Sequence, residues 1–250
     1  MDSLQQLSGS SRYALLEREI AAAIQTGELA VGSQLPTEDE LIRRFAVSRT
    51  TVRKAIQNLS LRGFVEIRRG VGTFVAPPRI TPELTALTGF VEDMDTLGHS
   101  ATARLIDTVV VAADAEVARQ LRLAVGAEVM RIRRVRLANG VSISLDETYL
   151  PLAIGKQVIS HDLEVEPIFS LLEDRYGIAL IEAEYELEAA LAGDDVAAEL
   201  QIAPGSPLFL IERTSFSSGG QPVDYEILHY RGDLIRFKTR LARRKPVRPR

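Results

Sequence analysis

One stretch of this chain occurs twice. Residues 114–126 and 194–205 share a pattern displaced by about 79 positions, with Val117 matching Val196, Leu121 matching Leu200, Ala124 matching Ala203 and Gly126 matching Gly205. In each copy a helical spacing is followed by a strand, a glycine-containing turn and a second strand. Two copies are too few for a solenoid. Neither can bury its apolar face alone, so the arrangement that covers both is one antiparallel sheet with helices to one side, an α+β domain. A cavity between the related halves is the natural place for a ligand.

The second block alternates helical and strand patterns throughout. Helices are expected over 89–97, 114–121, 167–176 and 194–200, and strands over 105–111, 128–138, 141–149, 179–189, 208–216 and 223–230. Asn139-Gly140 is the strongest short hairpin signal, and Gly219-Gly220 is a second. Four arginines fall within six residues of the strand over 128–138, and Arg134 and Arg136, two apart, project from the same face as Met130 and Ile132. Paired guanidinium groups on an apolar face suit a carboxylate or phosphate. The same spacing equally suits cross-strand ion pairs with Glu212, Glu186 or Glu188. Two registers are open: a strict two-residue turn sets Asp146 opposite Arg133, and a single bulge moves it to Arg134.

Charge divides the chain more sharply than its net −4 suggests. Residues 77–230 hold 11 basic against 25 acidic side chains, while 231–250 hold nine basic against one acid. The segment 43–69 has eight basic residues and one acid, Glu66. Clustered positive charge on a helical pattern is an electrostatic footprint for phosphate backbones. The basic tail, 236–250, reads as a flexible end.

The N-terminal block reads helix, short helix, helix, hairpin. Leu16, Ile20 and Ile24 mark an amphipathic helix over 12–26, and Thr37-Glu38-Asp39-Glu40 is a capping box opening a second. Ser48 caps a third helix whose Val52, Ala55, Ile56 and Leu59 share one face, leaving Arg49, Thr50 and Arg53 on the other. Strands over 64–68 and 73–75 flank Arg69-Gly70-Val71-Gly72, where two glycines allow a tight turn and close backbone approach. This is a winged helix-turn-helix whose third helix offers donors to base edges and phosphates. Three prolines within 77–82 then break the pattern, so the domains are placed at 1–76 and 89–245 with a semi-rigid linker over 77–88.

The absence of cysteine removes disulfides, thiol catalysis and Cys-ligated metal. The three histidines, at 99, 161 and 229, show no ligand spacing, so no metal and no cofactor are expected. Residues 1–11 show no leader pattern, and no apolar run is long enough to span a membrane, so the chain is expected to be soluble and cytoplasmic.

The segments Leu35-Pro36-Thr37-Glu38, Ser48-Arg49-Thr50-Thr51-Val52-Arg53 and Gly70-Val71-Gly72-Thr73-Phe74-Val75 resemble the signature of GntR-type bacterial transcription regulators over most of residues 12–76. The resemblance implies DNA contacts from Thr37, Ser48, Arg49, Thr50, Thr51 and Arg53 on the helices and from Arg68, Arg69, Gly70, Gly72 and Thr73 on the wing. Many members carry Arg where Asp39 stands here; the acid suits a helix N-terminus instead. Further on, Leu137-Ala138-Asn139-Gly140, Asp146-Glu147-Thr148-Tyr149-Leu150-Pro151, Leu208-x-x-Ile211-Glu212-Arg213 and Pro222-Val223-Asp224-Tyr225 to Tyr230-Arg231-Gly232-Asp233 resemble the HutC-subfamily effector domain, UTRA, which is similar in fold to chorismate lyase. By position this implies effector contacts from Arg134, Arg136, Asp146, Asp224 and Tyr230. Amino-sugar-phosphate sensors of the subfamily carry Glu at the two acidic positions and Ser near 165 and 167. Val165 and Pro167 offer no hydroxyl, so the resemblance implies an organic acid, or another anion with a cationic or hydroxyl end. The expected protein is a homodimeric repressor that binds a palindromic operator in double-stranded DNA and answers a small anionic metabolite. The alternative is an enzyme using the chorismate-lyase-like pocket for acid–base work on an anionic substrate. Against it, the second block shows no nucleophile beside a base, and His229 is the only histidine near a pocket strand.

Overall fold

The computed structural model describes residues 9–77, 80–82 and 87–241. The N-terminal unit is α1 (Gly9–Gln25), α2 (Glu38–Phe45), α3 (Arg49–Leu61) and the hairpin β1 (Val65–Arg68) and β2 (Gly72–Val75). Both sequence-level caps form. Glu40 N donates to Thr37 Oγ1 at 3.3 Å while Thr37 N donates to the Glu40 carboxylate at 2.8 Å, and Thr51 N donates to Ser48 Oγ at 3.2 Å. The helices close on one core that includes Leu16, Ile20, Leu41, Val52 and Leu59. Each such side chain stabilises the fold by about 1.5–3 kcal/mol on burial.

The C-terminal unit is built on a six-stranded antiparallel sheet. Its strands are β3 (Ala101–Ala112), β4 (Glu128–Ala138), β5 (Val141–Pro151), β6 (Glu182–Leu191), β7 (Pro207–Ser217) and β8 (Gln221–Arg231), in the order β3-β4-β5-β8-β7-β6. The repeat explains this order: each half contributes three strands, and the halves meet where β5 pairs with β8. The repeated helices, α5 (Ala115–Leu121) and α8 (Asp194–Leu200), lie on the back of the sheet. Val117 and Leu121 of α5 reach Tyr225 in the second half, and Ala197 and Leu200 of α8 reach Leu145 in the first. The halves are therefore interlocked.

The front face is covered by α4 (Phe90–Thr96), α6 (Leu152–Val158) and α7 (Ile168–Ser170). Gly155 brings α6 onto β4 so closely that a Cβ there would lie 2.2 Å from Met130 Cβ. Two expectations need correction. The segment 167–176 is not one α-helix, because after a single turn it widens into a π-helix, Leu171–Arg175. The strand expected over 105–111 begins at Ala101, where Asn139 holds the entering chain by accepting from Ser100 N at 2.9 Å.

Of the linker expected at 77–88, residues 78, 79 and 83–86 lie outside the described residues, as do 242–250 of the tail. The described parts bind each other. Ile80 bridges Ile235 in parallel, Arg236 N donates to Ile80 O at 2.9 Å and Lys238 N to Pro82 O at 3.1 Å. The start of the tail is therefore a strap over the linker and not a free end.

Candidate DNA-binding surface and effector cavity

On α3 the amphipathic division is complete: Val52, Ala55, Ile56 and Leu59 are buried, and Arg49, Thr50 and Arg53 face outward. Their orientation is set by the acidic first turn of α2. Arg49 Nη2 lies 2.5 Å from Asp39 Oδ1, and Arg53 Nε donates to both Glu38 oxygens at 3.1 Å. Both arginine side chains remain more than half exposed, at 57% and 60%. Ion pairs this exposed are worth about 0–1 kcal/mol, so an incoming phosphate can replace the carboxylates. Thr50 and Thr51 hydroxyls both lie 2.8 Å from Ser48 Oγ, and Thr37 is occupied in its capping box.

The wing carries Arg68, Arg69 and Gly70 at its exposed end, with Thr73 half-buried on β2. Arg68 pairs with Glu66 at 3.1 Å and lies over the Phe74 ring. Gly72 has φ +145°, and a Cβ there would meet Gln34 Nε2 at 2.2 Å. Gln34 also bridges Phe74 and donates from Nε2 to Val71 O at 3.1 Å, bracing the wing from a residue that helical and strand periodicity did not single out.

On the front of the sheet the register places polar side chains in rows. The bulge that sequence left open falls between Arg136 and Leu137, so Arg134 stands opposite Asp146 and Arg136 opposite Ser144. The next strands continue the rows with Tyr230 opposite Ser144, Glu226 opposite Thr148, and Arg213 opposite Glu226. A cavity of about 50 Å³ lies between this floor and a roof that includes Phe90, Asp93, Met94 and Phe169.

Arg136, Asp146 and Tyr230 line the cavity; Arg134 and Asp224 do not. They lie on the same face of the sheet, sealed in it. The cross-strand pairs with Glu212, Glu186 or Glu188 are not made, because those acids share the back face with Arg133, whose neighbours are Asp107 and Glu147. Arg136 Nε donates to Asp146 Oδ2 at 2.9 Å, and Ser144 Oγ to Asp146 Oδ1 at 2.6 Å. Arg134 is fully buried, and its Nε, Nη1 and Nη2 have no hydrogen-bond partner among the described residues. Burial, reinforced by Arg136, pushes its guanidinium down to about 9.

Sequence reasoning missed half of the floor. Arg213 and Glu226 form a buried ion pair, with Arg213 over the Phe169 ring at 4.6 Å and donating to Tyr185 Oη at 3.1 Å. Burial alone would raise the Glu226 carboxyl, but Arg213, Arg134 and Arg136 together hold it below the usual range. The signal was present: both residues interrupt the apolar face of their strands, Arg213 after Phe209 and Ile211, and Glu226 before Leu228. Asp224 accepts from Ser215 N at 3.2 Å, and its other oxygen and Ser215 Oγ have no partner among the described residues. Burial, then Glu226, pushes the Asp224 carboxyl up.

Helix α4 connects the cavity to the N-terminal unit. Phe90, Asp93 and Met94 line the cavity, and the turn that ends the helix carries Gly98 and His99. Gln25 Nε2, at the end of α1, donates to Gly98 O at 2.9 Å, and the His99 ring lies 5.9 Å from that of Phe64. His99 is fixed from the other side by Asn139 at 3.0 Å.

Comparison with known proteins matches both units. Residues 12–75 match the bacterial regulatory proteins of the gntR family, and residues 96–236 match the UTRA domain. The HTH-type transcriptional repressor NagR of Bacillus subtilis is 32% identical over 225 residues, covering 90% of this chain and 92% of NagR. The histidine utilization repressor of Pseudomonas putida is 29% identical, covering 92% of each chain. Among solved structures, PhnF from Mycobacterium smegmatis superposes with a TM-score of 0.68 at 29% identity, over 93% of this chain and 99% of PhnF. None of these relatives is an enzyme by description, and no helix among the described residues is long and apolar enough to cross a membrane. The chain therefore belongs to the gntR family of bacterial regulatory proteins, of the GntR/HutC type with a UTRA effector domain, and is a metabolite-responsive DNA-binding transcription regulator.

Proposed function

We propose that this regulator acts in the cytoplasm as a homodimeric repressor whose two heads each read one half of a palindromic operator, and that a small anionic effector in the front-face cavity lowers its DNA affinity. The head is taken as residues 1–76, the linker as 77–88 and the effector domain as 89–245. Two-fold symmetry in a protein matches two-fold symmetry in its site. Arg49 and Arg53 read or clamp the major groove, with Thr37, Ser48, Thr50 and Thr51 around them, while Arg68, Arg69, Gly70, Gly72 and Thr73 approach an adjacent groove. The effector is held by Arg136, Asp146 and Tyr230 on the wall and by Arg134 and Asp224 behind it.

The observation that carries this reading is a fully buried Arg134 guanidinium, with no hydrogen-bond partner among the described residues, on the sheet face below a cavity whose roof helix also touches the head. The cavity of about 50 Å³ holds a few waters, so a ring-sized effector has to displace α4 or α7. Displacement of α4 carries Gly98 and His99 with it and shifts the head. The effector need only favour the shifted state by a few kcal/mol. Fluorescence anisotropy on DNA selected by the protein from a random pool tests the head assignment: Arg49→Ala should cost about 1–3 kcal/mol of affinity if the side chain reads a base. Wild-type affinity in that variant removes Arg49 from the interface.

A further inference from the structure

We infer that Asp39 takes part in reading the operator: Asp39 and Arg49 act as one unit on a single C·G base pair, the carboxylate accepting from the cytosine amino group and the guanidinium donating to the guanine. The inference rests on the reading above that Arg49 enters the major groove. It adds a second base-reading residue and the base pair that the two select.

The first turn of α2 carries three acids, and the structure separates their roles. Glu40 is committed to the cap, accepting from Thr37 N at 2.8 Å and from Thr37 Oγ1 at 2.7 Å. Glu38 uses both oxygens on Arg53 Nε, each at 3.1 Å, and its side chain is only 35% exposed. Asp39 meets Arg49 through one oxygen, Oδ1, and one guanidinium nitrogen, Nη2, at 2.5 Å. Its side chain is 70% exposed, more than that of Arg49 or Arg53. The Thr37 and Ser48 caps fix the first turns of α2 and α3, so this pair is held at the outward face of α3 by two anchored helix ends.

Such an acid has to be met when DNA arrives. A phosphate that drew Arg49 away would leave the Asp39 carboxylate alone beside a polyanion, which opposes binding. What the major groove offers a carboxylate is the amino group of cytosine or of adenine. Adenine sets its N7 acceptor beside the amino group, so a carboxylate there faces another acceptor; cytosine has no acceptor on its groove edge. Across a C·G pair the cytosine donor lies next to the O6 and N7 acceptors of guanine. The linked Asp39 and Arg49 present the complementary order, acceptor and then donors, and the remaining N–H groups of the guanidinium suit the guanine fork. The ion pair need not open for both bases to be read.

The test selects DNA from a random pool with the full-length wild type, Asp39→Ala and Arg49→Ala. Anisotropy then measures each protein on the wild-type consensus duplex and on a copy carrying N4-methylcytosine at the C·G position. That base still pairs with guanine but places a methyl group where the groove-facing amino hydrogen was. The wild-type pool should hold C·G at a position where the Asp39→Ala pool shows a weakened preference. The wild type should lose about tenfold in affinity on the methylated duplex, while Asp39→Ala binds the two duplexes equally. An unchanged melting temperature in Asp39→Ala shows that the exposed substitution leaves the head folded. If Asp39→Ala selects the wild-type consensus unchanged, or discriminates against N4-methylcytosine as the wild type does, the inference is overturned. An equal gain in affinity for every duplex, specific or not, makes Asp39 a repulsive charge only and overturns it as well. In both cases a loss of affinity in Arg49→Ala leaves the head assignment standing; wild-type affinity in Arg49→Ala removes the assignment and the inference together.

Discussion

Arg134 is a residue whose place in the fold runs against stability. A buried guanidinium without hydrogen bonds is destabilising, because the cost of taking the charge out of water is only partly offset by the nearby Asp146 and Glu226 carboxylates. Arg134→Met should therefore resist urea better than the wild type in the absence of ligand; a loss of stability would mean that the charge is compensated in the empty protein. Asp224 gives a pH-dependent counterpart. Its carboxyl is raised in the folded state from an ordinary 3.8 to about 7, so the folded form binds the proton more tightly than the unfolded chain does. Its contribution is fully present below about pH 4 and is lost as pH rises through the folded value. Asp224→Asn keeps the acceptor for Ser215 N and removes the titration, so the fall in melting temperature between about pH 4 and pH 8 should be shallower in the variant. Parallel curves for the two proteins would exclude Asp224 as the titrating group. Arg134 and Arg136 were legible in sequence as arginines on an apolar face. Their different fates were not, because Asp146 can satisfy only the neighbour whose side chain reaches it.

At the scale of elements, local signals placed most helices and strands. Thr37 and Ser48 had their caps written beside them, and α8 matches its expected range of 194–200. Errors fell where packing overrides periodicity. The apolar spacing of 167–176 suits an α-helix, yet the segment widens at Leu171–Arg175, where Leu171 and Leu172 are drawn into the core below α6. The contact of α6 with the sheet also makes a prediction. Gly155→Ala places a methyl against Met130 and should cost about 1–3 kcal/mol in denaturant unfolding through overpacking. A neutral outcome would show that Met130 can move aside.

Across the whole molecule, two routes join the cavity to the head: the strap in which Ile80 pairs with Ile235, and α4 with its terminal turn against Gln25 and Phe64. Gln25→Ala removes one hydrogen bond of the second route without touching the cavity. It should leave the ligand-induced melting shift unchanged while reducing the loss of DNA affinity on ligand addition, by about 0.5–2 kcal/mol of coupling. An unaltered response in DNA affinity would show that the Gln25–Gly98 hydrogen bond does not carry the coupling and leave it to the His99–Phe64 contact and the strap. Local signals were enough to fix the two units, the helix-turn-helix with its exposed arginines, and the doubled half-sheet, because caps, glycine turns and apolar periodicity act between residues a few positions apart. Long-range packing settled which arginine is left without a hydrogen-bond partner among the described residues, that Arg213 and Glu226 complete the floor, and that the start of the tail braces the linker. Those outcomes depend on strand register and on burial, where a shift of one residue reverses a face and one neighbouring carboxylate decides whether a charge is met.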